Sequence, residues 1–116
     1  MAIATSFGKN ALADHYGTLA THGAVYTAFP SGTGSAGTEP SGGSPAYARK
    51  PLTWSAAVAG VMTATAVFDI PAGTTIIGTG LHTAITAGNY VDGKTDSSVA
   101  FVNQDTVTVN YSYTQV

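Results

Sequence analysis

Hydrophobic and polar residues alternate most strictly near the end of the chain. From Thr106 to Thr114, Val107, Val109, Tyr111 and Tyr113 interleave with Thr108, Asn110 and Ser112. A period of two predicts a strand with one covered face. Residues 61–68 predict another, with Met62, Ala64, Ala66 and Phe68 sharing a face. Further strands are expected over 24–29, 47–55 (Leu52 and Trp54 inward), 74–83, 90–91 and 97–102. Residues 56–60 form a small-residue turn. In the Asp69–Gly73 run D-I-P-A-G, Pro71 fixes φ and Gly73 supplies a permissive position. Asp92-Gly93 reads as a tight hairpin turn, and Gly78 and Gly80 predict a bulge or a close backbone approach.

The first twenty residues carry a helical period instead. Phe7, Ala11, Leu12, Tyr16 and Leu19 recur at helical spacing and are expected to share one face. Thr5 or Ser6 is the cap, and Gly17 or Gly23 the stop, within a helical N-terminal segment 1–22. Gly8 and Gly17 each cost a helix about 1 kcal/mol relative to Ala, so it needs tertiary packing. The whole chain, 1–116, reads as a single domain. Its expected fold is mainly β: a small antiparallel β-sandwich or barrel-like domain of six to seven strands with one N-terminal helix. Residues 30–46, rich in Gly, Ser, Thr and Pro, form a long extended loop. It is read either as an arm touching a neighbouring subunit or as a mobile surface loop.

Charge changes the picture of the surface. Only 9% of residues are charged, against an ordinary quarter, so Thr, Ser, Asn and Gly must supply the polar exterior. Such a surface suits coverage by neighbours. With Lys9, Arg49, Lys50 and Lys94 as the only basic residues and a net charge of −2, no basic stripe exists for direct nucleic-acid binding. Cysteine is absent, which excludes disulfides and thiolate zinc. The start of the chain lacks a signal-peptide apolar run. Residues 56–66, the least polar stretch, are too short to span a bilayer. Synthesis in the cytoplasm, with no membrane association, is the expectation.

Candidate chemistry is sparse. Gly88–Thr95 matches G-x-x-x-x-G-K-[ST], yet a strand, not a helix, is expected to follow. Tyr90, Val91 and Asp92 also put bulk and negative charge where a phosphate would lie. Asp92 and Asp96 fall short of a calcium loop. His15, His22 and His82 share no ligand spacing and read as surface or packing histidines. Ser6, His82 and Asp69 lack a nucleophile-elbow context. No catalytic site, cofactor or metal is therefore assigned. Tyr47 and, beside it at the end of the loop, Arg49 and Lys50 are interface candidates, since Tyr and Arg are favoured at hot spots. Trp54, Glu39, Phe7 and Tyr16 join them from composition and position.

The block Gly42–Ala57, G-G-S-P-A-Y-A-R-K-P-L-T-W-S-A-A, resembles a segment of a family of small tailed-phage virion proteins, labelled minor capsid or tail fibre proteins. A helix, a V-Y-T-A-F strand, a Gly/Thr-rich loop, an I-P-A-G-T-T-I-I-G-T-G-L segment and a final alternating strand follow the family order. His82–Thr86 departs from the aromatic or Asp-rich stretch common after the equivalent of Leu81. The resemblance implies a structural part of a virus particle: a capsid decoration or minor capsid protein on the outer shell, bound to the major capsid protein. It also implies a homo-oligomer, with a trimer favoured. The alternative is a tail-fibre or tail-tip module attaching to host-surface glycan. Short length, low charge and the absence of fibrous repeats lean toward the head.

Overall fold

A computed structural model describes residues 2–116. It is mainly β, with one helix and six strands in two antiparallel sheets. The order is α1 (Ser6–Leu19), β1 (His22–Tyr26), β2 (Lys50–Pro51), β3 (Val61–Ile70), β4 (Thr74–His82), β5 (Tyr90–Phe101) and β6 (Asp105–Thr114). One sheet runs β2-β1-β4-β5 and the other pairs β3 with β6. This is the small β-sandwich-like domain that the strand pattern predicts.

β3 and β6 form the most regular unit. Ten consecutive residue pairs link them, from Val61 with Thr114 to Ile70 with Asp105. On β3, Met62, Ala64, Ala66, Phe68 and Ile70 are buried, while Val61, Thr63, Thr65 and Val67 face outward. Size is matched across the pair: Ala64 lies opposite Tyr111, and Ala66 opposite Val109. Small side chains on β3 thus leave room for larger ones on β6, as close packing requires. Phe68, Ile70 and Tyr111 then meet Val25, Ile76 and Leu81 of the other sheet in the main core.

Two glycines make room for tyrosine rings, Gly23 between the sheets and Gly80 within one. A Cβ at Gly23 would stand 2.7 Å from the Tyr111 hydroxyl, which donates to the Ala24 carbonyl at 3.1 Å. A Cβ at Gly80 would collide with the Tyr26 ring. The expectation of a close approach at Gly80 is met, and the β4–β5 register also shifts between Ile76 and Gly78.

Several local expectations need correction. Of the expected segment 1–22, Met1 lies outside the described residues, and within the rest the helix occupies only Ser6–Leu19; Thr5 caps it, its Oγ1 accepting from the Gly8 N–H at 3.1 Å. The first strand ends at Tyr26, leaving Phe29 exposed. Only Lys50–Pro51 of 47–55 pairs as a strand, although Leu52 and Trp54 do pack inward. Asp92-Gly93 is not a turn: β5 runs through it unbroken, with Gly93 opposite Gly80. There a side chain would strike the Tyr90 hydroxyl and Pro30, so glycine fits an interior strand position.

The helix face is the largest correction. The side turned to the body carries Ala13, Tyr16 and Gly17, against Trp54, Met62 and Tyr113. Asp14 and Asn10 fix it further, accepting from the Ala57 and Gly60 N–H groups at 3.1 and 2.8 Å. Phe7, Leu12 and Leu19 point outward instead, 85%, 47% and 47% exposed. Small residues let the helix sit close to Trp54, which Leu or Phe would prevent.

The 56–60 turn is a two-residue hairpin in which Val58 bridges Val61, with Ala59 at φ 51° and Gly60 at φ 80°. Alanine is strained in this left-handed region by roughly 1 kcal/mol. Ala59→Gly is expected to raise the urea midpoint correspondingly, with an unchanged slope.

Candidate interaction surface

The expected interface residues separate into three groups. The first surrounds the chain's only arginine and only glutamate. Arg49 Nε and Nη2 hold both Glu39 oxygens, at 2.9–3.2 Å. Arg49 Nη1 donates to the Ala84 and Ala87 carbonyls at 3.0 and 2.9 Å. The Tyr47 hydroxyl donates to Glu39 at 2.8 Å and accepts from the Val25 N–H at 3.2 Å. The Arg49 and Glu39 side chains are only 13% and 22% exposed. A planar guanidinium suits this forked arrangement, where an ammonium would satisfy fewer partners. A shallow hollow of about 430 Å³ lies beside the pair, bordered by Pro40 and Ile85.

This network decides the fate of the long loop. Residues 30–46 fold back on their own sheet instead of extending as a free arm. Thr27 N–H donates to the Thr38 carbonyl at 2.6 Å, and Tyr90 to the Ser31 carbonyl at 2.9 Å. Pro30 and Pro40 are buried, and Gln104 clasps Ser44 and Pro45. Exposure is confined to the tip, residues 32–36, Thr38 and 41–46.

Beneath the loop lies a cluster that the sequence pattern did not reveal. His82, 2% exposed, shares a 2.6 Å hydrogen bond with the Tyr26 hydroxyl and stacks at an angle on Tyr90. Burial, and then the Arg49 charge, lower its pKa below the ordinary value. Burial pushes the Glu39 carboxyl up, but hydrogen bonds from Arg49 and Tyr47 and the guanidinium charge outweigh that and hold it low. Burial likewise raises Tyr47 and Tyr26.

The second group supports the helix. Tyr16 stacks on Tyr113 at 3.9 Å and meets Trp54 edge-on at 6.5 Å. Burial, followed by the Asp92 and Tyr113 charges, pushes Tyr16 up to about 12. Trp54 Nε1 donates to the Ala20 carbonyl at 2.8 Å, closing the end of α1. Lys50 reaches Asp69 at 3.3 Å. The third group is Phe7 alone, on the outer stripe of α1 with Ala11, Leu12, His15 and Leu19.

A cleft of about 550 Å³ opens between β5 and β6. Val25, Ile76, Leu81, Val107 and Val109 form its apolar floor; Asp92, Lys94 and Asp96 line the β5 side. The Gly88–Thr95 segment forms no phosphate cradle: it runs largely as extended β5 and no helix follows it. Lys94 pairs with Asp96 at 3.2 Å, and among the described residues no group of His, Asp and Glu side chains gathers as a metal site. His82 bonds Tyr26 and Asp69 pairs with Lys50, so the two are engaged apart from Ser6. Among the described residues no helix is long and apolar enough to cross a membrane. No family model, curated protein or solved structure matches the chain.

Two expectations follow. Arg49→Ala leaves Glu39 with only the Tyr47 hydroxyl and no counter-charge, strips two carbonyls of their donor, and should cost about 3 kcal/mol in denaturant unfolding. Arg49→Lys should recover only part of that. A histidine with a lowered folded-state pKa favours the fold above its unfolded-state pKa of about 6.5, and this stability is lost as pH falls below it. Glu39, held low, loses its contribution only at more acid pH, below its unfolded-state value of about 4.3. Melting temperature should therefore fall between pH 7 and 5, and His82→Gln should flatten that limb while leaving the steeper acid loss.

Proposed function

We propose that this domain is a structural component of a tailed-phage particle, a capsid decoration or minor capsid protein that binds the major capsid lattice as a homo-oligomer. The observation that carries the reading is the outward apolar stripe of α1. Phe7 is 85% exposed, and Leu12 and Leu19 stand beside it on a helix already fixed from behind. Such a stripe is a surface built to be covered. The low charge of the whole chain and the resemblance of Gly42–Ala57 to phage virion proteins support the same reading. It assigns the domain no catalysis.

The engaged aromatics favour the shell over the tail-fibre alternative. Glycan stacking calls for an exposed tyrosine or tryptophan platform, whereas Trp54, Tyr26, Tyr47 and Tyr111 are packed within the fold. Contact with the lattice falls to Phe7 and its neighbours in this reading. Tyr47, Arg49 and Glu39 hold the loop in shape.

Virions labelled with an antibody to this chain and imaged by electron microscopy should carry label over the head. Label confined to the tail would overturn the shell reading. F7D/L19D should lower capsid occupancy at least about tenfold, the equivalent of 1.4 kcal/mol. Trp54 fluorescence should be unchanged, because these side chains face away from Trp54.

A further inference from the structure

The two sheets leave two free edges along the cleft, and they are built differently. β5 is irregular: its register against β4 shifts twice, and Asp92, Lys94 and Asp96 line the cleft. Bulges and inward charges are the devices by which natural sheets keep an edge from pairing. β6 has no bulge, and its one charge, Asp105, stands at its first position. Its ten pairs with β3 run without a register shift, it contains no proline or lysine, and Thr106–Thr114 carries no charge. Among the described residues no strand pairs with its other edge. A long, regular, uncharged edge left bare would aggregate, so the contrast marks β6 as the edge meant to be covered.

We propose that β6 pairs antiparallel with β6 of a second copy about a two-fold axis at Asn110, joining the two β3–β6 ribbons into one four-stranded sheet. The strand is self-complementary in this register. On the covered face Val107 meets Tyr113 of the second copy, and Val109 meets its Tyr111, pairs of a β-branched and an aromatic residue that favour sheets. On the outer face Thr106 meets Thr114, Thr108 meets Ser112, and Asn110 meets Asn110, all polar and uncharged. Centring the axis on Val109 instead would set Asp105 against Tyr113, a charge with no counterpart. Shifting by half a step would place Val and Tyr beside Thr and Ser and turn the apolar face of one copy to solvent. A partner strand with charged residues would find no counter-charge over Thr106–Thr114, which favours a second copy as the occupant. The added strand also covers the half-buried Val107 and Val109 on the floor of the cleft.

This inference goes beyond the virion reading and stands without it, since it concerns the free protein in solution. It gives a two-fold assembly where the family resemblance implies three-fold. Light scattering on the purified full chain should give twice the protomer mass, and a monomer or a trimer would overturn the proposal. The chain has no cysteine, so N110C carries a single thiol. Residues directly opposite across an antiparallel pair lie close enough for a disulfide. On mild oxidation N110C should cross-link to a covalent dimer, while T63C, on the same outward face but on β3, should not. Equal cross-linking of the two would overturn the axis. T108K/S112K sets lysine against lysine twice and should raise the dimer dissociation constant at least about tenfold. T108K/S112E sets lysine against glutamate and should restore the dimer. A dimer indifferent to both double variants would overturn the pairing. Both positions are exposed, and Trp54 fluorescence checks that each variant is folded.

Discussion

One guanidinium group holds three segments of this fold at once. Arg49 follows directly on Ala48, grips Glu39 in the long loop, and ties down the carbonyls of the turn before β5. Ala87, in that turn, adopts φ 53°, a conformation costly for alanine unless its surroundings enforce it. With Glu39 fixed, the Tyr47 hydroxyl is fixed too, and through it the Val25 amide of β1. The buried His82–Tyr26 pair lies under this arrangement and takes its electrostatic setting from it. A chain so poor in charge has concentrated its one strong ion pair where irregular backbone would otherwise be loose.

The same economy shapes the core. Two strands cover a sheet of four, and the missing cover is made up at one side by α1 and at the outer face by the loop. The packing is correspondingly uneven. Phe68, Ile70 and Tyr111 are well enclosed, while β5 is exposed along most of its length and a cleft remains beside it. An elongated body of 47 × 25 × 25 Å follows from long hairpins that extend past the core. The apolar outer stripe of α1 and the uncharged outer face of β6 are therefore parts of one pattern, in which the isolated protomer leaves some of its covering to be done from outside.

The regular ribbon was legible in the sequence, and so was the inward set of each of its strands. Val107, Val109, Tyr111 and Tyr113 alternate because one face of β6 turns to the body, with Tyr111 buried and the other three half-buried. The helix misled for a definite reason. Periodicity groups Phe7, Leu12 and Leu19 with each other but does not say which side the body lies on, and large apolar residues invite the inward choice. The signal for the true inner face was the small-residue spacing Ala13, Gly17 and Ala20, which only a close neighbour such as Trp54 rewards. Asp92-Gly93 misled because glycine serves two purposes, turning a chain and admitting a bulky neighbour, and here Tyr90 and Pro30 require the second. Strand pairing over 47–55 failed because side-chain direction does not establish that a partner backbone is within reach. The Arg49–Glu39 pair could have been read from its singularity, as each is the sole residue of its kind in the chain.

The loop that this pair secures has a further use. Its two sides are fastened at Ser31 and at Thr38–Glu39, while the tip between them, residues 32–36, is exposed and two of its glycines have no neighbour near the position of a Cβ. Lengthening a loop whose ends are already fixed costs little entropy, growing only with the logarithm of its length. Foreign sequence spliced between Gly32 and Ala36 would thus project from a closed base without disturbing the sheet below, which makes the domain a natural carrier for displayed peptides.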